Sequence, residues 1–291
     1  MKKFYLVFFI AAVSINISAS DNNSFREKQF MFIKELYQSG RYFDSISESE
    51  KLQFTENKPE LEYFIYLNYF SAGQYNTVIN SYSPDFSTDE MQFTALLLLS
   101  QSFFKKDMFM ESYKVLENFE YDRVPDKYKF TMFLRRVEPL ILSGETEIID
   151  EEISRSEIFL NDTYNFTELR EELQLYRKEG LTSPEYAALM SAVVPGLGQC
   201  YAGYPAEGLI SILSVAATAA GGVYMKNRDR KGFSYTMFFF SGVFYTGNIY
   251  GGYNSARARN NEFMRSRHNS VVSKYGFYNP AEYIDLERVL R

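Results

Sequence analysis

Residues 183–208 read SPEYAALMSAVVPGLGQCYAGYPAEG, and the interruption at Pro195-Gly196-Leu197-Gly198 decides how the C-terminal third of the chain is folded. Tyr186–Ala206 contains no charged residue. A proline nevertheless lacks the N–H that an interior helical residue donates, and glycine is a poor helix former, so this stretch does not read as one continuous spanning helix. Pro184 to Val194 covers only about 16 Å at 1.5 Å per residue, against a hydrocarbon thickness of about 30 Å. The spacing predicts a broken half-helix that enters a bilayer or lies at its surface, because irregular backbone is tolerated at membrane depth only when packed against protein.

Downstream of the break, Gly208–Met225 is free of charge, and from 232 up to Arg257 an aromatic-rich run is interrupted only by uncharged polar residues. Two spans are predicted, at about 208–225 and 232–253, forming a membrane hairpin domain over 183–256. Ala216 with Ala220, Thr218 with Gly222 and Gly247 with Gly251 place small residues at helical spacing, which lets helices in lipid approach closely. The connector Lys226-Asn227-Arg228-Asp229-Arg230-Lys231 is positively charged, and the positive-inside tendency puts it in the cytoplasm. A basic C-terminal tail, 257–291, follows; its Arg257, Arg259, Arg265 and Arg267 are candidates for contact with anionic lipid, the alternative being an ordinary solvated helix end. With two crossings the tail lies outside, against the same charge rule. A full third crossing by 186–206 would reverse both assignments.

The opposite end reads MKKFYLVFFIAAVSINISASDNN: two lysines, an apolar stretch from Phe4 to Ile17, then small residues. That three-part pattern reads as a secretory signal peptide, assigned to 1–20, the alternative being an uncleaved anchor. The expected location is therefore a bacterial inner membrane with the N-terminal domain in the periplasm. A net charge of -6 argues against nucleic acid as a partner. The chain has a single cysteine, Cys200, and a single histidine, His268, which removes an internal disulfide, most metal sites and the common nucleophile–histidine pairs. No catalytic, cofactor-binding or metal-ligating residue is assigned, and the run Glu145 to Glu157 is read as a solvated helix face.

Between the two ends, 21–180 is helical text with turns at a regular interval. YQSGRYFDSI surrounds Gly40, YFSAGQYNTVI surrounds Gly73, FFKKDMFMESY surrounds Asp107 and LILSGETEIID surrounds Gly144. A left-handed residue can end the first helix of each pair, and Tyr42, Tyr75 and Phe109 then fill the junction with the second. A period near 34 with this layout resembles the tetratricopeptide (TPR) repeat over about residues 25–160. The resemblance implies a TPR-like helical solenoid and a protein-binding role. The small alanines of that family are replaced by Ser45, Val78, Ser112 and Ile149, so an irregular helical bundle is the alternative packing. Tyr63, Tyr66, Tyr69 and Phe70 read as packing residues rather than a peptide groove.

The C-terminal string, with Pro195, Gly196, Gly198, Gln199, Tyr201 and Gly203 at its centre and GNIYGGYNSARARNNEF after Gly247 with Asn248 and Asn254, resembles a group of bacterial membrane domains distantly similar to the two-transmembrane-helix domain family. That resemblance, over about 183–263, implies a membrane fold and no catalytic role. The fold class expected is thus all-α: a TPR-like solenoid, a broken half-helix and a transmembrane helical hairpin. The function expected is a non-enzymatic, membrane-anchored scaffold that binds an envelope protein. The alternative is an accessory subunit of an envelope transport, insertion or assembly complex whose main contacts are made by the hairpin.

Overall fold

The computed structural model describes residues 25–56, 59–82, 88–160, 164–179 and 181–275, so the signal-peptide assignment and the last part of the tail lie outside it. Every regular element among the described residues is helical. A first helix, α1, covers 25–38. It is followed by α2 (Tyr42–Glu56), α3 (Pro59–Ser71), α4 (Tyr75–Ser81), α5 (Asp89–Phe104), α6 (Phe109–Glu117), a 3-10 turn (Tyr121–Arg123), α7 (Asp126–Ser143), α8 (Thr146–Leu160) and α9 (Tyr164–Glu179). The C-terminal third holds α10 (Pro184–Val193), α11 (Leu197–Tyr201), α12 (Pro205–Asn227) and α13 (Lys231–Tyr275). Contacts divide the chain into two units, one built from residues up to 140 with 150–162, the other from 141–149 with 163–276.

In the first unit one device recurs at each turn. Gly40, Gly73 and Asp107 have φ of 76°, 74° and 58°. The amide after each of them reaches back five residues to a helix carbonyl: Arg41 to Leu36, Gln74 to Tyr69, Met108 to Phe103, at 2.8–3.1 Å. This closes the helix end with its orphan carbonyls satisfied. An aromatic ring three residues before the turn then meets one two residues after it: Tyr37 with Tyr42 at 5.6 Å, Phe70 with Tyr75 at 5.3 Å, Phe104 with Phe109 at 5.4 Å between centroids. Gly144 keeps the left-handed turn at φ 78°, but Ile141 and Thr146 stand where the rings would be. Ser45, Val78, Ser112 and Ile149 are all buried. Ser45 donates to the Ile33 carbonyl and Ser100 to that of Ser112, so hydroxyls tie the paired helices where a bare methyl would only touch. Tyr63 and Tyr66 are core residues, with Tyr69 and Phe70 packed against the same cluster.

The reading of Glu145–Glu157 as a solvated face is corrected at Glu152, which is fully buried. It lies on the inward face of α8 with Ile153, Ser156 and Leu160, and it is matched by Arg136 of α7, only 1 % exposed. The Arg136 guanidinium donates to the Leu116 carbonyl at 2.6 Å, to those of Glu117 and Phe119, and to Glu152 Oε2 at 3.2 Å. Tyr113 and Arg155 donate to the other carboxylate oxygen. A cation is thereby sealed against the C-terminal carbonyls of α6, where the helix dipole favours it. Its donors are satisfied, which is the condition under which a buried charge is tolerated.

In the second unit α10 and α12 both run antiparallel to α13. Ser234 and Ser241 of α13 donate to the carbonyls of Gly222 and Val215, and a methyl added at Gly222 would lie 2.9 Å from the Phe238 ring. On the other side Thr182 and Asn260 exchange two hydrogen bonds of 2.9 and 2.8 Å, and Tyr245 donates to the Ala192 carbonyl. The chain therefore descends α13 from Asn260 toward Tyr245 along α10, turns at Pro195-Gly196 and climbs back along α11, whose last turn accepts from Arg259 through the Ala202 carbonyl. The stretches 208–225 and 232–253, expected from the sequence to be spans, fall inside α12 and α13. The basic tail up to Tyr275 continues α13 without a break, giving a 45-residue helix about 67 Å long. Its final turns pair Ser270 with Glu172 and Lys274 with Glu168 of α9.

Truncating Arg136 to alanine is expected to cost about 3–5 kcal/mol, because Glu152 and the α6 carbonyls lose their cation while still buried. Thermal melting of the detergent-solubilised full chain by circular dichroism measures it, and a shift matching an exposed-residue control such as Arg41→Ala would contradict the clamp. Burial pushes the Tyr121 phenol up to about 12, the nearby Arg136 charge offsetting part of the effect, and burial alone does the same to Tyr82. Because the unfolded phenols ionise near 10, both groups favour the fold fully below that pH, and stability is expected to fall between about pH 10 and 12, by up to ~1.4 kcal/mol per unit for the buried Tyr121 and by less for the partly exposed Tyr82. Melting midpoints across that range check it.

Candidate functional site

The most specific sequence string assembles into a buried polar junction between α10, α11 and α13. Proline cannot continue α10, and Gly196 takes φ 86°, a left-handed conformation that a side chain resists. A methyl there would lie 2.1 Å from the Gly208 carbonyl oxygen, and one at Gly198 would lie 2.0 Å from that of Ala187. Both glycines are thus required by close backbone approach. With the backbones this near, their polar groups need partners inside the unit.

Asn248 of α13 supplies them. Its Oδ1 accepts from the Gly196 amide at 2.7 Å and its Nδ2 donates to the Ser191 carbonyl at 3.1 Å. The Gln199 amide nitrogen donates to the Asn248 carbonyl at 3.1 Å and to Oδ1 at 3.2 Å, with a longer contact of 3.4 Å to Ser211 of α12. Ser191 closes the ring: its hydroxyl donates to Gln199 Oε1 at 3.0 Å and accepts from the Gly198 amide at 3.1 Å. Gln199 and Asn248 are 3 % and 4 % exposed, so these bonds form out of water, where an unmatched polar group is costly.

Of the residues singled out in the sequence, Gly196, Gly198 and Gln199 meet in this junction and Pro195 sets its turn. Tyr201 does not join it; its ring is exposed and packs edge-on against Tyr186 at 5.3 Å. Gly203, at φ 88°, ends α11 with the same turn seen at Gly40, and the Tyr204 amide reaches the Gln199 carbonyl at 2.8 Å. Gly40, Gly73 and Asp107 belong to the first unit, and Gly144 packs near Met264 and Leu181. Arg257, Arg259 and Arg265 are exposed on α13, while Arg267 is half-buried over the Phe263 ring. The sequence offers Ser191 only as the first residue of the S-x-x-x-P-G-x-G-Q string and Asn248 only as a polar member of the later one, with no role for either side chain. The available signal was an asparagine inside an otherwise apolar helix, which needs a partner wherever it is buried.

Beside the junction lies a cleft of about 500 Å³ between α12 and α13, lined by Gln199, Glu207, Ser211, Asn248, Asn254 and Ser255 among others. Glu207 is its only acid and accepts from the Ser255 hydroxyl at 3.2 Å. Among the described residues no three His, Cys, Asp or Glu side chains are grouped to hold a metal ion. The chemistry on offer is hydrogen bonding and one carboxylate.

Fold and site together define an all-helical chain with one helix, Pro205–Asn227, long and apolar enough to cross a membrane among the described residues. Comparison with protein-family models, with curated proteins and with solved structures found no match.

Replacing Asn248 by alanine is expected to lower stability by about 1–3 kcal/mol for each buried group left without its partner, chiefly the Gly196 amide and the Ser191 carbonyl. Gly198→Ala should be at least as damaging because the clash is with backbone. Tyr201→Phe, at an exposed ring, should leave the melting midpoint of the solubilised chain unchanged. Equal midpoints for Asn248→Ala and Tyr201→Phe would contradict the role given to the junction.

Proposed function

We propose that the chain is a membrane-anchored, non-enzymatic scaffold: the α12–α13 hairpin sits in a bilayer and the first unit, read as TPR-like repeats, binds an envelope protein. The observation that carries this reading is the exposure of the apolar surface. Only 11 % of the most apolar stretch of α12 is buried, whereas the core helix of a water-soluble protein would be mostly covered. Leu209, Ile210, Leu213, Phe239, Phe240 and Val243 are all exposed, and large apolar surfaces left open in this way mark membrane or protein interaction sites. The 232–253 half of α13 falls short of the same apolarity because Ser, Thr, Asn and Gly dilute its phenylalanines. Ser234, Ser241 and Asn248 are turned onto α10, α11 and α12, and the exposed Thr236 and Thr246 donate to carbonyls of α13 itself, so lipid would meet rings and internally bonded hydroxyls.

Helix length supports the same division. Only about 20 residues of a helix fit a hydrocarbon core of about 30 Å, so the charged half of α13 projects beyond it. The course of α10 and α11 down and back along α13 supports a re-entrant segment and two crossings, with Ser183 and the tail on one side. The positive-inside tendency puts the Lys226–Lys231 connector in the cytoplasm and that side in the periplasm. The three aromatic turn pairs support the repeat reading, since a unit with one uncovered face stacks on its neighbours and leaves a surface for a partner. The exposed Tyr186, Leu189, Val193 and Leu197 favour a second reading, in which α10–α11 also contacts helices of a larger envelope complex.

Fractionation of cells expressing the chain tests the proposal. The full chain should sediment with membranes, resist an alkaline wash and dissolve in detergent. A chain lacking residues 25–160 should stay in membranes but lose the partner crosslinked in cells by the full chain. Recovery in the soluble fraction, or the same partner crosslinked after the deletion, would overturn it.

A further inference from the structure

We propose that the cleft between α12 and α13 holds the headgroup of a phospholipid bearing a primary ammonium, with Glu207 as its counter-ion; the inference rests on the membrane reading above. Glu207 is the only acid in Tyr186–Met225, placed in the first turn of the apolar helix, and among the described residues no lysine or arginine pairs with it. One carboxylate oxygen accepts from Ser255, which leaves acceptor capacity facing the cleft. Asn254 on the same rim is exposed and Ser211 is half-buried below it, so an amide and a hydroxyl stand near the carboxylate.

The walls change character along the cleft. From Glu207 to Ser214 the helix covers about 10 Å, and the lining passes from the carboxylate and amides to Ile210, Val243 and Phe244. Those three side chains are more than two-fifths exposed and continue into the apolar belt, so the cleft opens sideways toward the hydrocarbon. A ligand that matches both ends is an amphiphile with a small cationic head. A primary ammonium has three donors to share among Glu207, Asn254 and a serine hydroxyl, whereas a trimethylated ammonium has none. A headgroup ending in glycerol brings no cation to answer the carboxylate.

The test uses the full chain purified in detergent and exposed to an equimolar mixture of phosphatidylethanolamine, phosphatidylcholine and phosphatidylglycerol, with retained lipid read by native mass spectrometry. Phosphatidylethanolamine should be retained over phosphatidylcholine by about tenfold, the size of one charge-assisted hydrogen-bond advantage. Glu207→Gln, which keeps an acceptor for Ser255, should bring that ratio close to one. Asn254→Ala, at an exposed position, should reduce it in a chain whose melting is unchanged, so a folding defect at Glu207 leaves the proposal open to refutation. Free ethanolamine at the lipid's concentration should displace nothing. Equal retention of the three lipids by the native chain, a preference that survives both substitutions, or displacement by free ethanolamine would overturn the assignment. Absence of the preference in the native chain, when that chain still needs detergent, refutes the headgroup site alone; a native chain soluble without detergent refutes the membrane reading with it.

Discussion

One amide, Asn248, joins backbone segments that the sequence keeps more than fifty positions apart. It holds the Gly196 turn, the end of α10 and the Gln199 side chain onto α13. Around it the other constraints fall into order: proline stops α10, glycines at 196 and 198 let the backbones meet, and the close approach leaves N–H and C=O groups that only side chains within the unit can satisfy. In an apolar setting this matters more than in water, because burial of apolar surface gives helices no reason to associate and the polar and steric match must hold them. Replacing Asn248 leaves the Gly196 amide and the Ser191 carbonyl without this partner, which makes that one side chain the tie of the junction.

The first unit solves a related problem by different means. Its turns are closed by backbone hydrogen bonds at left-handed residues and covered by ring pairs, and its last helices are fixed by a buried ion pair. Arg136 and Glu152 would be a poor source of net stability compared with an apolar pair of the same volume. Their value is in geometry: five hydrogen bonds from one guanidinium set α6, α7 and α8 in one arrangement. Such a pair specifies packing where the repeat pattern loses its aromatic rings, after Phe109.

Much of this architecture was legible in the residues. The helix break at Pro195-Gly196, the left-handed turns at Gly40, Gly73, Asp107 and Gly144, and the apolar helix after Gly208 follow from local rules, since proline, glycine and long charge-free runs act on their own backbone. What the residues did not disclose depends on partners distant in sequence. Glu152 sits in an acidic run and looks solvated until α8 is seen to turn that position toward Arg136. Ser191 looks like a small spacer until Gln199 and Gly198 are brought to its hydroxyl. The cleft beside Glu207 arises only when α12 and α13 pair, so no single segment could announce it. The unbroken passage of α13 from aromatic text into basic text was hidden for a simpler reason: a change in composition marks a change of surroundings, and the helix itself need not end there.

The belt of exposed side chains on α12 and α13 is proposed to lie in hydrocarbon. The most direct measurement is the immersion depth of spin labels attached to single cysteines at Leu213, Phe240 and Asn227 of the full chain, in a Cys200→Ser background, after reconstitution into vesicles. Labels at 213 and 240 should collide freely with oxygen and be shielded from a water-soluble nickel complex, while the label at 227 shows the reverse. Ready access of the nickel complex to positions 213 and 240 would contradict the account.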